Sequence, residues 1–348
     1  MVAAKLKLRV MVTGSTGFLG SALTEKLCPA RHDVVALVRT SSKSLPAEVT
    51  QIESGDLSQL AGGQTVNNLL TTLRNIDVVV HCAAKAHVLK ESSDDPETAF
   101  RRTNVDATLV LARLAAEAGV GRFIFLSSIG VNGNLTKSPN HPELPEAFDE
   151  TVTPAPHDLY AQSKWQAEQG LMQIADATGM EVVIIRPPLV YGPNAKGNFA
   201  SLLKWVKRGV PLPLGAVNNQ RSFIALDNLV DFLRCCLVHP KAANEVFVIS
   251  DGEDVSTTEL LQKVANAVGR KARLIPVPVS WMRLAAKLTG KVAIADRLFG
   301  SLRVDISKAR QLLAWKPKVT MQQQLESMAS QAASTESSGG CGFPPSRE

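Results

Sequence analysis

Val10-Met11-Val12-Thr13-Gly14-Ser15-Thr16-Gly17-Phe18-Leu19-Gly20 is the stretch on which the fold turns. A short run rich in Leu and Val, residues 6–12, stops at a glycine, and helical spacing resumes from Phe18. An apolar run of that length bounded by glycine predicts a buried strand, and the residues after the turn predict a helix over 18–27. Glycines at 14, 17 and 20 permit a tight turn and a close approach of backbone N–H groups to a pyrophosphate, to which the helix N-terminus adds partial positive charge. The spacing is GxxGxxG rather than the commoner GxGxxG, but the strand–turn–helix context is the one such a loop requires. Gly14, Thr16, Gly17, Phe18, Leu19 and Gly20 are therefore candidate dinucleotide-binding residues, against the plainer alternative of an ordinary strand–helix joint.

Outward from this loop, apolar strands are predicted at 34–38, 49–53, 77–82, 123–127 and 182–185, alternating with helices at 104–118 and 160–177. Strands joined by helices make a parallel sheet covered on both faces. The expected fold is α/β, a Rossmann doubly wound sheet over residues 6–190. A smaller mixed α/β substrate lobe follows over 191–328, with helices near 198–207, 257–268 and 280–288, a strand at 246–249, and segments that can interleave with the first domain. Residues 329–348 (ASQAASTESSGGCGFPPSRE) are small and polar and predict a disordered tail.

The 348-residue chain is 45% hydrophobic and 20% charged, ordinary values for a globular protein. Its net charge of +6 suits an anionic ligand, but the sequence has no run of five Lys or Arg and only 5% aromatics, so a nucleic-acid partner is not expected. Five cysteines without a CxxC pair argue against a zinc site or disulfide framework, and no metal is expected. With no evident signal peptide and no 18-residue apolar stretch, the expectation is a cytoplasmic enzyme without a membrane partner.

The second strand ends Leu37-Val38-Arg39-Thr40-Ser41-Ser42-Lys43, without the acidic residue that would hold a free ribose 2′-hydroxyl. Arg39 and Lys43 can meet a 2′-phosphate, which favours NADP while leaving NAD open. Asp56, with Leu57 after the third strand, is a candidate for the adenine end; a plain turn aspartate is the equal alternative.

Chemistry is carried by Tyr160-Ala161-Gln162-Ser163-Lys164. Residues four apart share a helix face, so Tyr160 and Lys164 can enter one pocket. An ammonium nearby is expected to lower the phenol from its ordinary value near ~10, letting it exchange a proton with a hydroxyl or carbonyl. Ser127-Ser128 ends a strand at the carboxyl edge, where ligands of open sheets bind.

These motifs together resemble the extended short-chain dehydrogenase/reductases of the NAD-dependent epimerase/dehydratase group. The resemblance rests on TGSTGFLG (13–20), GDL (55–57), HCAA (81–84), Asn104, SSIGVNG (127–133), YAQSK (160–164), RPPLVYGP (186–193), RSFIALDNLVD (221–231) and LLAWKPK (312–318), in order along nearly the whole chain. It implies catalytic roles for Ser128, Tyr160 and Lys164, contacts to the cofactor from Ala83 and Lys85, a diphosphate contact from Arg221, a nucleotide contact from Asn198, and a weaker second phosphate contact from Arg303. It implies a nucleotide-sugar substrate and a homodimer built on helices 104–118 and 160–177.

Departures narrow the chemistry. Ile129 stands where dehydratases of the group carry Asp-Glu and decarboxylases carry Glu, and an Ile moves no protons. Asn132 replaces the Tyr of the usual VYG, and Leu189 stands where hexose 4-epimerases often have Asn. What remains is hydride chemistry at C4 of a sugar: a 4-epimerase with tightly held NAD, or an NADPH-dependent reductase of a 4-keto-6-deoxy sugar. A carbonyl reductase of a non-nucleotide substrate and a non-catalytic dinucleotide-binding protein are the alternatives.

Overall fold

The computed structural model describes residues 7–28, 32–59, 64–86, 95–139, 141–195 and 205–338. A seven-stranded sheet is its centre. In chain order its elements are β1 (Arg9–Thr13), α1 (Phe18–Leu27), β2 (Asp33–Val38), β3 (Thr50–Glu53), α2 (Gln64–Leu73), β4 (Val78–His81), α3 (Pro96–Phe100), α4 (Ala107–Glu117), β5 (Arg122–Leu126), α5 (Leu159–Thr178) and β6 (Glu181–Arg186). The order β3-β2-β1-β4-β5-β6 is completed by a seventh strand, Glu245–Val248, and every ladder is parallel. The Rossmann expectation matches this sheet, and its strand order reverses between β1 and β4, the crevice where such sheets bind ligands.

Both faces of the sheet are dry, which explains why its strands read as continuous apolar runs. Val10, Val12, Ala36, Ile124 and Val183 belong to one buried cluster; the alternate residues Met11, Val35, Phe123, Phe125 and Val182 belong to another. α1 covers the first face through Leu19, Leu23 and Leu27. α2, α4 and α5 cover the second through Leu69, Leu111 and Leu171.

Past β6 the chain forms a second, three-stranded sheet from β7 (Leu189–Tyr191), β8 (Arg221–Ala225) and, beyond the seventh strand (β9), β10 (Asp254–Val255). Helices α6 (Leu226–Val238), α7 (Thr257–Ala267), α8 (Val279–Leu288), α9 (Val292–Phe299), α10 (Ser307–Leu313) and α11 (Met321–Ser338) accompany it. The two parts interleave. α6, β9 and Trp315 pack into the core of the large sheet, while Tyr191, Phe223, Leu261, Val264 and Leu325 form the core of the small one.

The disordered tail expected from 329 is corrected as far as Ser338, because α11 runs through Ser338. Met321, Leu325 and Met328 lie on one face at helical spacing and are buried, and that stripe anchors a helix which the following Ala and Gln residues extend. The remainder of the tail, 339–348, lies outside the described residues, as does most of the helix expected at 198–207, of which residues 205–207 are helical.

Candidate active site

Two of the loop's glycines sit where no side chain fits. Gly14 has φ of +67°, and a Cβ there would stand 2.8 Å from the Ala83 nitrogen. A Cβ on Gly20 would meet the Gly14 oxygen at 2.1 Å. Gly17 caps α1 without any side-chain acceptor, so the first N–H groups of the helix face outward with their partial positive charge. Ser15 is fully buried, and its hydroxyl has no hydrogen-bond partner. A bare helix N-terminus, a cradle closed to side chains and an orphaned hydroxyl fit the pyrophosphate of a dinucleotide.

The opposite wall is held by polar groups buried in the core. Thr13 Oγ1 lies 2.8 Å from His81 Nδ1, the Thr108 hydroxyl lies 3.0 Å from Nε2, and Ala83 N–H donates to Thr13 Oγ1 at 3.2 Å. Burial, with the Lys164 cation behind it, pushes His81 down to about 3, so the ring is neutral and serves as a bracket between β1 and β4. Lys85 is fixed by Asn104, which accepts from its backbone N–H (2.8 Å) and donates to its carbonyl (3.0 Å) and to the Ser163 hydroxyl (3.0 Å). Asn104 sits in a π-helical turn, Arg101–Asp106, between α3 and α4; such bulges recur at functional sites. No local spacing marks the bracing role of Asn104, which only the fold reveals.

Arg39 and Asp56 are exposed at the far end of this wall. Asp56 accepts from Ser58 N–H at 2.9 Å; that bond, with Arg39 and Lys85 adding, holds its carboxyl below the ordinary range. Leu57 starts a 3-10 turn beside it. A carboxylate stands beside the end of β2 on the neighbouring strand: Glu53, paired with Val38, accepts from the backbone N–H and the hydroxyl of Ser41, at 3.0 and 2.5 Å.

The catalytic candidates gather at the carboxyl end of β5. Asp158 caps α5, its carboxylate accepting from Ala161 N–H at 2.7 Å. Tyr160 lies one turn ahead of Lys164, with the Phe100 ring edge-on at 6.2 Å. Lys164 is buried; its Nζ donates to the Leu126 carbonyl at 2.8 Å and lies 4.5 Å from the Phe125 ring centroid and 5.9 Å from that of Tyr160. Ser128 opens a 3-10 turn, Ile129–Val131, and its hydroxyl accepts from Gly130 N–H at 3.1 Å. A Cβ on Gly130 would lie 3.3 Å from Ala161 Cβ and 3.4 Å from Ser128 Oγ, so this turn packs on the first turn of α5 and brings Ser128 to the Tyr160 end.

The titration expected of Tyr160 needs correcting. Burial, with the Asp158 carboxylate adding, raises the phenol to about 12, and burial lowers Lys164 to about 8. Withdrawal from water disfavours both charged forms, the phenolate and the ammonium. In this state Tyr160 is a neutral phenol, placed to share a hydrogen bond before it transfers a proton.

Beneath the site runs a buried polar network. The Ser127 hydroxyl donates to Glu168, which pairs with Arg186 through Nε at 3.0 and 3.1 Å and Nη2 at 2.5 Å. Arg186 also donates to Asn132 at 3.0 Å, and Asn132 donates to the Asp149 carbonyl at 2.9 Å. Glu168 follows Lys164 by one more helical turn, so Tyr160, Lys164 and Glu168 form one polar stripe down α5. Asn132, the residue in place of the usual Tyr, thus serves as an arginine acceptor. A Glu four residues past the lysine and an Arg ending an otherwise apolar strand were the available signals.

Of the substrate candidates, Arg221 is in β8 and donates to the Gly300 carbonyl at 3.1 Å. Burial, with the positive charge of Arg297 adding, lowers it to about 10, and among the described residues Arg221 forms no ion pair. Arg297 had no motif to reveal it. Arg303 is instead committed to Asp254 (2.9 Å) and, more loosely, Glu146 (3.8 Å). Asn198 lies outside the described residues.

A family model described as the NAD dependent epimerase/dehydratase family matches residues 10–250. A protein of Vibrio cholerae named UDP-glucose 4-epimerase is 42% identical over 322 residues, 92% of this chain and 94% of that one. An Escherichia coli O157:H7 protein named N-acetyl-alpha-D-glucosaminyl-diphospho-ditrans,octacis-undecaprenol 4-epimerase is 29% identical, covering 81% of each chain. Among solved structures, the UDP-glucose 4-epimerase of Thermotoga maritima with UDP-glucose has a TM-score of 0.72 at 22% identity, over 94% of this chain and 100% of that one. The Bordetella bronchiseptica enzyme WbmG in complex with NAD and UDP has the same score at 23% identity, covering 96% of each chain.

Proposed function

This chain belongs to the NAD dependent epimerase/dehydratase family, and we propose that it inverts C4 of a UDP-hexose, with NAD held in the glycine loop. The observation that carries the reading is the convergence of Ser128, Tyr160 and buried Lys164 at the end of β5, beside Ile129, which can move no protons. A bound NAD would lie on Gly14, Gly17 and Gly20, reach Ala83 and Lys85, and supply a hydride acceptor and donor at the sugar carbon.

The chain's own residues do the rest. Tyr160 takes the proton from the sugar 4-hydroxyl and later returns a proton to the same C4 oxygen of the rotated keto-sugar. Lys164, fixed by the Leu126 carbonyl, presents positive charge under the phenol as it loses that proton. Ser128 holds the sugar oxygen by a hydrogen bond. Arg221 and Arg297 grip the diphosphate, a bidentate task suited to guanidinium. The diphosphate is also the element common to the substrates named for the V. cholerae and E. coli relatives. Glu53 at the end of β3 supports NAD over NADP, because a carboxylate at that corner opposes a 2′-phosphate. Pairing of two copies through α4 and α5, and reaction in the cytoplasm, complete the proposal.

The test is to denature the purified protein, identify the dinucleotide it releases, and supply UDP-glucose without added cofactor. Stoichiometric NAD and formation of UDP-galactose are expected. A site that takes up NADPH and consumes it with a 4-keto nucleotide sugar, leaving UDP-hexoses unchanged, would overturn the epimerase in favour of the reductase.

A further inference from the structure

The α8–α9 hairpin is put together with its apolar stripe facing outward. Trp281, Leu284 and Leu288 fall at i, i+3 and i+7 of α8, one helical face, and are 70%, 59% and 80% exposed. Val292 and Ile294 of α9, and Ile275 just ahead of the hairpin, are exposed as well. The hairpin is nevertheless a built unit. Arg283 pairs with Asp296 across the two helices at 3.0 Å and stacks on Phe299, Lys291 N–H donates to the Ala286 carbonyl at 2.7 Å, and Val279, Met282 and Phe299 pack on the core of the small lobe. The inner face is therefore already used, and the outer stripe has no partner among the described residues.

Charge says what suits that stripe. Residues 270–299 contain Arg270, Lys271, Arg273, Arg283, Lys287, Lys291 and Arg297 against the single acid Asp296. Their net charge equals the +6 of the whole chain, so the rest of the protein is electrically balanced and its basicity is concentrated here. Lys287 and Lys291 flank the exposed leucines in sequence. A Trp and leucines on one face, with Lys and Arg at its margins, suit a helix lying in a bilayer interface, its apolar side among the acyl chains and its cations among anionic headgroups. A second copy of the chain would present the same excess of positive charge to its twin, which opposes self-pairing here.

We infer that the α8–α9 hairpin docks the protein on the surface of an anionic lipid bilayer, with Trp281, Leu284 and Leu288 inserted and Lys287 and Lys291 against the headgroups. This is peripheral attachment, distinct from spanning: no described helix is long and apolar enough to cross a membrane. The inference does not depend on the epimerase reading. It brings the enzyme to the membrane through the hairpin that carries Arg297.

The experiment is flotation of the full chain with vesicles of phosphatidylglycerol and phosphatidylethanolamine, against vesicles of phosphatidylcholine alone. The protein is expected to float with the anionic vesicles and about tenfold less with neutral ones or in 0.5 M salt. A Trp281→Ser, Leu284→Ser, Leu288→Ser triple variant, and separately Lys287→Glu with Lys291→Glu, are each expected to weaken the partition by about tenfold or more. Interconversion of UDP-hexoses by the soluble variants, measured in parallel, is expected to stay at the wild-type rate; a loss of that activity in wild type would count against the catalytic proposal alone. The inference is overturned if wild type stays with the soluble fraction, if the triple variant floats as wild type does, or if the serine substitutions instead halve the solution mass by separating two copies. Retention on nucleic acid in place of vesicles would overturn it equally.

Discussion

α5 and α8 are both amphipathic helices, and they solve opposite problems. α5 buries charge: Lys164 and Glu168 are almost fully enclosed, each with hydrogen-bond partners. α8 exposes apolar surface: none of its residues is buried, and Trp281 and Leu288 stand mostly in solvent. A buried charge is costly unless paired, and an exposed apolar stripe costs the water that orders around it. Both helices therefore depart from the usual distribution of residues in the direction that a function would require. In the functions proposed above, α5 presents Tyr160 and Lys164 to the sugar, and α8 presents an insertion face to the bilayer.

The contrast can be broken at several points. The largest effect belongs to Tyr160→Phe, which removes the proton-transfer group and is expected to slow UDP-hexose interconversion about 10²–10⁴-fold while the released dinucleotide stays stoichiometric. Activity within a few-fold of wild type would remove Tyr160 from the mechanism. Next is Glu168→Gln, which strands the Arg186 charge in the core and is expected to destabilise the fold by about 3–5 kcal/mol, seen as an earlier urea midpoint. If Glu168→Gln and Arg186→Met together recover much of that loss, the ion pair is the cause.

The third is a pH effect at His81. Its folded value, about 3, lies below the ordinary 6.5, so above pH 6.5 neither state binds the proton and nothing is lost. As pH falls from 6.5 towards 3, the unfolded chain takes up a proton that the folded one refuses, and stability declines by up to ~1.4 kcal/mol per pH unit. Urea midpoints at pH 7 and 4.5 are expected to diverge more in wild type than in His81→Gln; equal divergence would clear His81. The smallest effect is on the other helix: serine at 281, 284 and 288 is expected to change stability by about 0.5 kcal/mol or less, since those side chains have little packing to lose. A large drop in thermal midpoint would mean that α8 is packed more tightly than its exposure indicates.

Some of this was open to inspection in the chain itself. Two-residue periodicity within strands dry on both sides cannot be seen in a string of valines, yet the run before Gly14 and its recurrence at 34–38, 77–82, 123–127 and 182–185 were enough for a parallel sheet. The seventh strand escaped that count because it arrives from residue 245, after a small sheet has intervened, and only hydrogen bonding to β6 assigns it. The extension of α11 past residue 328 was illegible for a similar reason: its anchoring stripe gains its stability from α7, far away in sequence.

Local spacing, then, determined the glycine loop, the order of strands and helices, and the shared face of Tyr160 and Lys164, since a turn or an i,i+4 pair needs only neighbours along the chain; the choice of Ser128 over Ser127 came from the family resemblance. Tertiary structure decided the rest. It set Tyr160 and Lys164 in a dry site that shifts both away from charge, paired Glu168 with Arg186, brought the charge of Arg297 to bear on Arg221, and committed Arg303 to Asp254. It also decided which side of α8 looks outward. Helical periodicity shows that a helix has an apolar face, but only the packing of Met282 and Phe299 inward leaves Trp281, Leu284 and Leu288 in solvent. Burial and long-range electrostatics depend on residues distant in sequence, and no local pattern records them.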